Sequence, residues 1–316
     1  MEQTREDRVK SAALEIGFSV AGIADVTPHR RSNEVFDRWL SGGMNAGMSW
    51  LRRHEARRRD ADSLLPGVRS AVCVGLNYYN GIEKKQRTAD GSDGRGIFSI
   101  YAHGRDYHDV MDEMLERLDG RLKESFPAMR SVTCVDTSPI SDRAMAIRGG
   151  IAWLGKNSSA ISPRFGSWIF LGELLTDLDL QPDPQLETLC GKCTKCIDSC
   201  PTGALDEPFV VDSRKCISYL TIEERGDIPE SLHEAIGINV YGCDTCQSVC
   251  PFNGVAVTST AFDRRDGSPV VDMPLAELEI IPDEVFRRKT DGSAIKRCKG
   301  SGMRRNASIA RRNITP

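Results

Sequence analysis

Eight of the eleven cysteines fall between residues 190 and 250. The run "CGKCTKCIDSCP" places Cys190, Cys193, Cys196 and Cys200 at C-x2-C-x2-C-x3-C, with Pro201 after the last. A second run, "CDTCQSVCP", carries Cys243, Cys246 and Cys250 ahead of Pro251, and Cys216 stands between the two. This is the spacing by which bacterial ferredoxins hold [4Fe–4S] cubanes, and there the fourth cysteine of a run ligates the other cluster. The second run lacks a first cysteine, because position 240 is Val240. The crossing rule then gives two complete sets: Cys190, Cys193, Cys196 and Cys250 for one cluster, and Cys200, Cys216, Cys243 and Cys246 for the other. A zinc ribbon needs only four ligands and leaves the third cysteine of each run and both prolines unexplained. An odd cysteine count and no apolar leader in "MEQTREDRVK" argue for reduced thiols in the cytoplasm rather than a disulfide framework.

Two clusters form an electron relay, and a relay needs a recipient. The sequence ahead of the cysteines is far longer than a bare carrier requires, which points to an enzyme. The chain's 316 residues are 40% hydrophobic and 28% charged, ample for a buried core. Val9, Ala12, Ala13 and Ile16 recur at helical spacing before Gly17. "SVAGIADV", "RSAVCVGLNYY" (69–79) and "RSVTCVDT" (130–137) read as strands, and 106–126 as a long amphipathic helix. "SDRAMAIRGG" reads as a helix capped by Ser141, and two strands near 159–162 and 167–175 as a hairpin around "PRFG". "DLDLQPDPQLETL" has the composition of a linker. The expected architecture is an α/β (α+β) domain over 1–180, a ferredoxin-like dicluster module over 181–260 and a basic helical tail over 261–316. Net charge is only −3, yet ten Lys or Arg and one acid, Asp291, lie between Arg287 and Arg312. Such asymmetry marks either a nucleic-acid contact or a solvated helix face.

Other motifs in the front segment are ambiguous. "GIAWLGKN" (150–157) approaches a P-loop but ends in Asn157 where Ser or Thr would reach magnesium. His103 and His108 have no ligand cluster around them and read as ordinary hydrogen-bonded histidines. Cys73 and Cys134 lie in apolar strands and read as small core residues. Asp136 ends the apolar strand "VTCVDTSP", at the strand terminus where α/β folds place ligands. There it is either a helix cap or a desolvated acid with a raised pKa, fit to donate a proton.

"CGKCTKCIDSCPTGAL", "CISYLTIE" and "YGCDTCQSVCPFN", in that order, resemble the epoxyqueuosine reductase family. "AGMSWLRRH", "YAHGRDYHDVM", "VDTSPISDRAMAIRGGIAWLGKN", "GSWIFLGELLT" and the tail "GSAIKRCKGSGMRRNASIARRN" extend the resemblance along nearly the whole chain. It implies a cobalamin enzyme that reduces epoxyqueuosine to queuosine at the wobble position of tRNA. Electrons would pass through the clusters to base-off cobalamin lodged between the front domain and the module, supplied by an external donor such as a flavodoxin or ferredoxin. Asp136 matches the family's proton donor. Arg59, Tyr101, Lys156, Ser158, Ser218 and Asp244 are implied cobalamin contacts. Lys296, Arg297, Lys299, Arg304 and Arg305 are the expected contacts to tRNA phosphates, in a tail resembling the start of a helical repeat. The competing readings are a corrinoid-dependent reductase of a small molecule and a dicluster electron-transfer protein without catalysis.

Overall fold

The computed structural model describes residues 3–82, 89–254, 256–259, 261–262 and 266–314. Helix α1 (Arg5–Ile16) starts at a capping box: Thr4 Oγ1 accepts the Asp7 N–H at 3.1 Å, and the Asp7 carboxylate accepts the Thr4 N–H at 3.3 Å. It stops at Gly17, whose φ of 115° suits a residue without a side chain.

Four strands form the main sheet: β1 (Val20–Asp25), β2 (Ser70–Asn77), β3 (Ser131–Val135) and β4 (Ile169–Thr176). Their order is β1-β2-β4-β3, and every neighbouring pair is antiparallel. Alternating helices and strands in sequence would have suited parallel crossovers. The helices instead return the chain to build an antiparallel sheet covered on both faces. Val72, Val74 and Leu76 of β2 face α1 and α2 (Tyr107–Ser125), meeting Val9, Ala13, Leu115 and Leu118. Ala71 and Cys73 face the other way, onto Met145 and Ala146 of α3 (Asp142–Arg148). Double coverage explains why β2 reads as a continuous apolar run rather than an alternating one. Cys73 and Cys134 are buried in this second layer.

Two expectations shift. The segment near 159–162 contributes only the two residues Ala160–Ile161, which pair with Trp153–Leu154, while a bridge from Ser162 to Gly166 closes "PRFG". The P-loop-like stretch is thus a two-stranded turn with no helix after it. The acidic, proline-bearing stretch after residue 178 is strapped to the sheet edge. The Asp183 N–H donates to Ile23 O at 2.9 Å, and the Asp183 carboxylate accepts from the Ile23 N–H at 2.9 Å and from Lys10 Nζ at 2.8 Å.

The C-terminal segment is built into the body. Helix α5 (Lys299–Ile314) puts Met303, Ala307 and Ala310 against Phe98, Val240 and Leu275, and Ile309 against Ile217 and Leu220 of α4 (Ile217–Ile222). The wholly buried Asn306 donates from Nδ2 to Thr221 O and Val240 O, both at 2.8 Å, so two orphan carbonyls are satisfied at the seam.

Candidate active site

Between the front sheet, the cysteine-rich segment and the C-terminal helices lies a cavity of about 1480 Å³. This exceeds the usual pocket for a drug-sized ligand. The lining carries acids, with Asp106, Asp136 and Asp142, and a group of bases from the C-terminal segment, Arg287, Lys296, Arg297 and Lys299. The place of each acid follows from local structure. Asp106 caps α2, its carboxylate accepting the His108 N–H at 3.2 Å. Asp136 follows the last residue of β3, and Asp142 opens α3.

Around the acids the groups form a chain. Lys296 Nζ sits 2.8 Å from Asp106 Oδ2, and Asp106 Oδ1 accepts from His108 Nδ1 at 2.7 Å. His108 Nε2 lies 3.4 Å from Asp136 Oδ2, which also accepts from Tyr107 Oη at 2.6 Å. Burial opposes charge on His108, but its hydrogen bonds to the Asp106 and Asp136 carboxylates, together with their charges, outweigh it and raise its pKa to about 9. The imidazolium is therefore the favoured form at neutral pH.

Asp136 departs from the raised pKa expected of it. Surrounding protein works to raise it, but hydrogen bonds from His108 and Tyr107 and the charges of His108 and Arg58 prevail, and the net shift is downward. Its side chain keeps 60% of its exposure because it faces the open cavity. An occupant that covered it would strengthen the desolvation that already pushes the pKa up.

The elevated His108 pKa sets a stability signature. A group whose pKa rises on folding contributes stability below its unfolded value near 6.5, and that contribution is lost as pH climbs through about 9. His108→Gln is expected to flatten the fall in stability between pH 7 and 9.5 by roughly 2–3 kcal/mol, measured by denaturant unfolding of the apoprotein. An unchanged pH dependence would contradict the assignment.

Cys190, Cys193, Cys196 and Cys250 line one small cavity with Lys156 and Phe252. Cys196 lies within electrostatic reach of Cys250 and Cys190, Cys216 of Cys200, and Cys246 of Cys243 and Cys216 and also of Cys196, so the two groups of thiols adjoin. Among the described residues no three His, Cys, Asp or Glu side chains converge as they would on a single ion. Cubane ligands instead reach separate irons at the corners of a cube, which suits this wider spread. Of the eight thiols, Cys216 lines the large cavity.

Tyr101 and Ser218 line the large cavity, whereas Arg59 lies outside its lining and pairs with Asp37 and Glu55. Its neighbour Arg58 is on the lining. Lys156 donates from Nζ to Gly191 O at 2.7 Å and Cys193 O at 3.1 Å, tying down the first cysteine loop. Ser158, buried and at a φ of 61°, offers its carbonyl to Arg143 Nη1 at 2.5 Å. Asp244 is buried and accepts from Ser99 Oγ at 2.5 Å and the Ile100 N–H at 2.8 Å, bracing the turn that carries Tyr101. Among the bases, Arg297 pairs with Glu223 at 2.8 Å and stacks 5.0 Å from the Trp50 ring centre. Arg304 is held by Asp283 and Ile281 O, and Arg305 by the carbonyls of Leu220 and Glu224. Tyr107, His108 and Asp106 act as one unit that separate inspection of "HGRDYHDV" does not reveal.

Residues 189–253 match the family model for a 4Fe-4S double cluster binding domain. With the large cavity that Cys216 lines, this defines the class as a dicluster oxidoreductase. Residues 58–137 match the family model described as epoxyqueuosine reductase QueG, DUF1730. The epoxyqueuosine reductase of Gloeobacter violaceus is 42% identical over 96% of this chain and 94% of its own. A structure of epoxyqueuosine reductase from Bacillus subtilis, with its catalytic aspartate loop swung out of the active site, superposes at a TM-score of 0.88. It is 31% identical, over 97% of this chain and 80% of that one. An epoxyqueuosine reductase crystallised with an epoxyqueuosine-modified tRNA-Tyr stem loop superposes at 0.87, with the same identity and coverage. The chain belongs to the epoxyqueuosine reductase family.

Proposed function

We infer that this protein reduces epoxyqueuosine to queuosine in tRNA, with cobalamin in the large cavity and two [4Fe–4S] clusters behind it. The observation that carries the reading is the cavity itself. It has corrin-scale volume, with acids, bases and a cluster thiol, Cys216, on its lining. When bound, the clusters relay single electrons and cobalamin supplies a strongly reducing cobalt.

The reaction consumes two electrons and two protons, turning an epoxide into an alkene and releasing water. Breaking the C–O bond requires that the oxygen be protonated as its charge develops. Asp136 is the group of the acidic chain that faces the cavity, and His108 behind it restores its proton. Tyr107 fixes the carboxylate orientation. Tyr101 and Ser218 support direct contact with cobalamin, and Asp244 an indirect role through Tyr101. Lys156 and Ser158 fit better as supports of the first cysteine loop and of Arg143, and Arg59 as a brace for the segment that carries Arg58. Cys216 suggests the order of the relay: the cluster that its set would hold would stand next to the cavity, and the Cys190 set would receive electrons from an external carrier such as a flavodoxin or ferredoxin.

Lys299 at the cavity rim is the best candidate for tRNA phosphates, whereas Lys296, Arg297, Arg304 and Arg305 already have protein partners. Lys299→Ala is expected to weaken stem-loop binding several-fold at low salt and to reduce the slope of log affinity against log salt by about 1. An unchanged slope would remove Lys299 from the interface. The three-part division at about 180 and 260 is functional rather than physical, since α5 packs across it, and no helix among the described residues is long and apolar enough to cross a membrane. We place the enzyme in the cytoplasm with its tRNA substrate.

A direct test offers the anaerobically reconstituted protein two substrates with a low-potential reductant: an epoxyqueuosine-bearing stem loop and a small aryl halide. Reduction of the stem loop alone is expected. Dehalogenation without queuosine formation would favour the small-molecule reading and sink this one.

A further inference from the structure

Glu173 has no exposure at all, in the middle of a central strand. It sits in β4 directly across from Cys73 of β2 and Cys134 of β3. Its side chain therefore enters the layer beneath α3, where those two small thiols leave room. Among the described residues neither Glu173 oxygen has a donor, and Asp142 Oδ1 is likewise buried without one. The group that Glu173 meets is the Asp142 carboxyl, within hydrogen-bonding reach. Two carboxyl groups meeting with no cation or N–H between them require a proton there. Arg148, the buried arginine of α3, is engaged by Asp25 and Thr27 instead. A well-packed apolar side chain would cost less at this position than a buried acid.

Asp142 is also on the cavity lining, beside Asp136, Ser141 and Arg143. The pair therefore runs from the core of the sheet to the reaction chamber, separate from the chain made by Asp106, His108, Tyr107 and Asp136. The mechanism above assigns one proton to Asp136 and leaves the source of the other open.

We propose that Asp142, backed by the buried acid Glu173, delivers the second proton of the reaction. Glu173 stays neutral and donates to Asp142, so the pair always holds one proton. It takes up another from solvent through the cavity, and Asp142 passes that proton to the departing oxygen, which leaves as water. One proton from Asp136 and one from the pair, with two electrons from the relay, balance the conversion of epoxide to alkene and water. Asp142 touches the chamber, and Glu173 is a positioning residue that acts through it. The groups facing the pair are Asp136 and Arg58, Arg143 and Arg148 on α3, and the thiols of Cys73 and Cys134 below. Burial and the Asp136 charge push Asp142 up to about 6, so its proton is held below that pH and is progressively withdrawn as pH rises through neutrality.

This inference rests on the epoxyqueuosine reading for its reaction, but the pair itself can be seen without turnover. Infrared titration of the apoprotein should show two protonated-carboxyl bands. One persists to high pH and vanishes in Glu173→Gln; the other titrates near pH 6 and vanishes in Asp142→Asn. In the loaded enzyme Asp142→Asn is expected to lower kcat by ~10²-fold or more with stem-loop affinity unchanged. Glu173→Gln retains a donor to Asp142 and should lower kcat less while displacing its alkaline limb. Survival of both bands in the two variants, or wild-type kcat in Asp142→Asn, would overturn the proposal. If the bands behave as expected while wild-type enzyme leaves epoxyqueuosine intact, the reaction assignment fails and the delivery of a second proton falls with it.

Discussion

Asp136→Asn should lower kcat for epoxide reduction by ~10²- to 10⁴-fold, the range lost when a positioned acid is removed. Asparagine preserves shape, and its carbonyl still accepts from Tyr107, so the 2.6 Å contact that orients the loop survives. What disappears is the ability to hold a proton between His108 and the substrate oxygen. Iron content, cobalamin binding and stem-loop affinity should stay at wild-type levels, which separates lost chemistry from lost structure. Single-turnover assays with prereduced enzyme make the comparison cleanest. A variant that turns over within a few-fold of wild type would move the acid elsewhere on the cavity wall, with His108 and Asp142 next in line.

Cys216→Ala should abolish turnover altogether while leaving the cavity able to take cobalamin. Cys216 joins the second cysteine set to the cavity surface, and it heads α4, whose Ile217 and Leu220 pack against Ile309 of α5. Without that ligand the cluster beside the chamber should be lost, and iron should fall from about eight atoms per chain to about four. The first set, around Lys156, should remain and still accept electrons from a chemical reductant. Full iron content in the variant, or turnover at an undiminished rate, would mean that the crossed ligand sets are wrong.

The double-cluster module was legible because cluster ligation imposes spacing directly on sequence. The strands were legible for a related reason: β2 is buried on both faces, so its apolar run carries no competing polar pattern. Sheet direction was not, because alternating helices and strands serve parallel and antiparallel sheets alike. The basic tail illustrates what charge counting misses. Arg304 and Arg305 are as cationic in sequence as Lys299, yet backbone carbonyls and Asp283 occupy them. The acids of the lining were half visible. Asp136 at a strand end stood out, but its pKa depends on His108 and Tyr107 from another element, and only the fold brings β3 against the start of α2. Nothing in "FLGELLT" singles out Glu173, whose burial and meeting with Asp142 come from the fold.

The central claim is that the large cavity holds cobalamin and that epoxyqueuosine is reduced there. The measurement that bears on it most directly uses one anaerobic preparation with both clusters assembled, divided and assayed with and without added cobalamin on tRNA carrying epoxyqueuosine, with the nucleosides then read by mass. Loss of one oxygen atom from the modified nucleoside in the cobalamin sample alone is the predicted result. Equal conversion in both samples, or none in either despite bound cobalamin and full iron, would contradict the account.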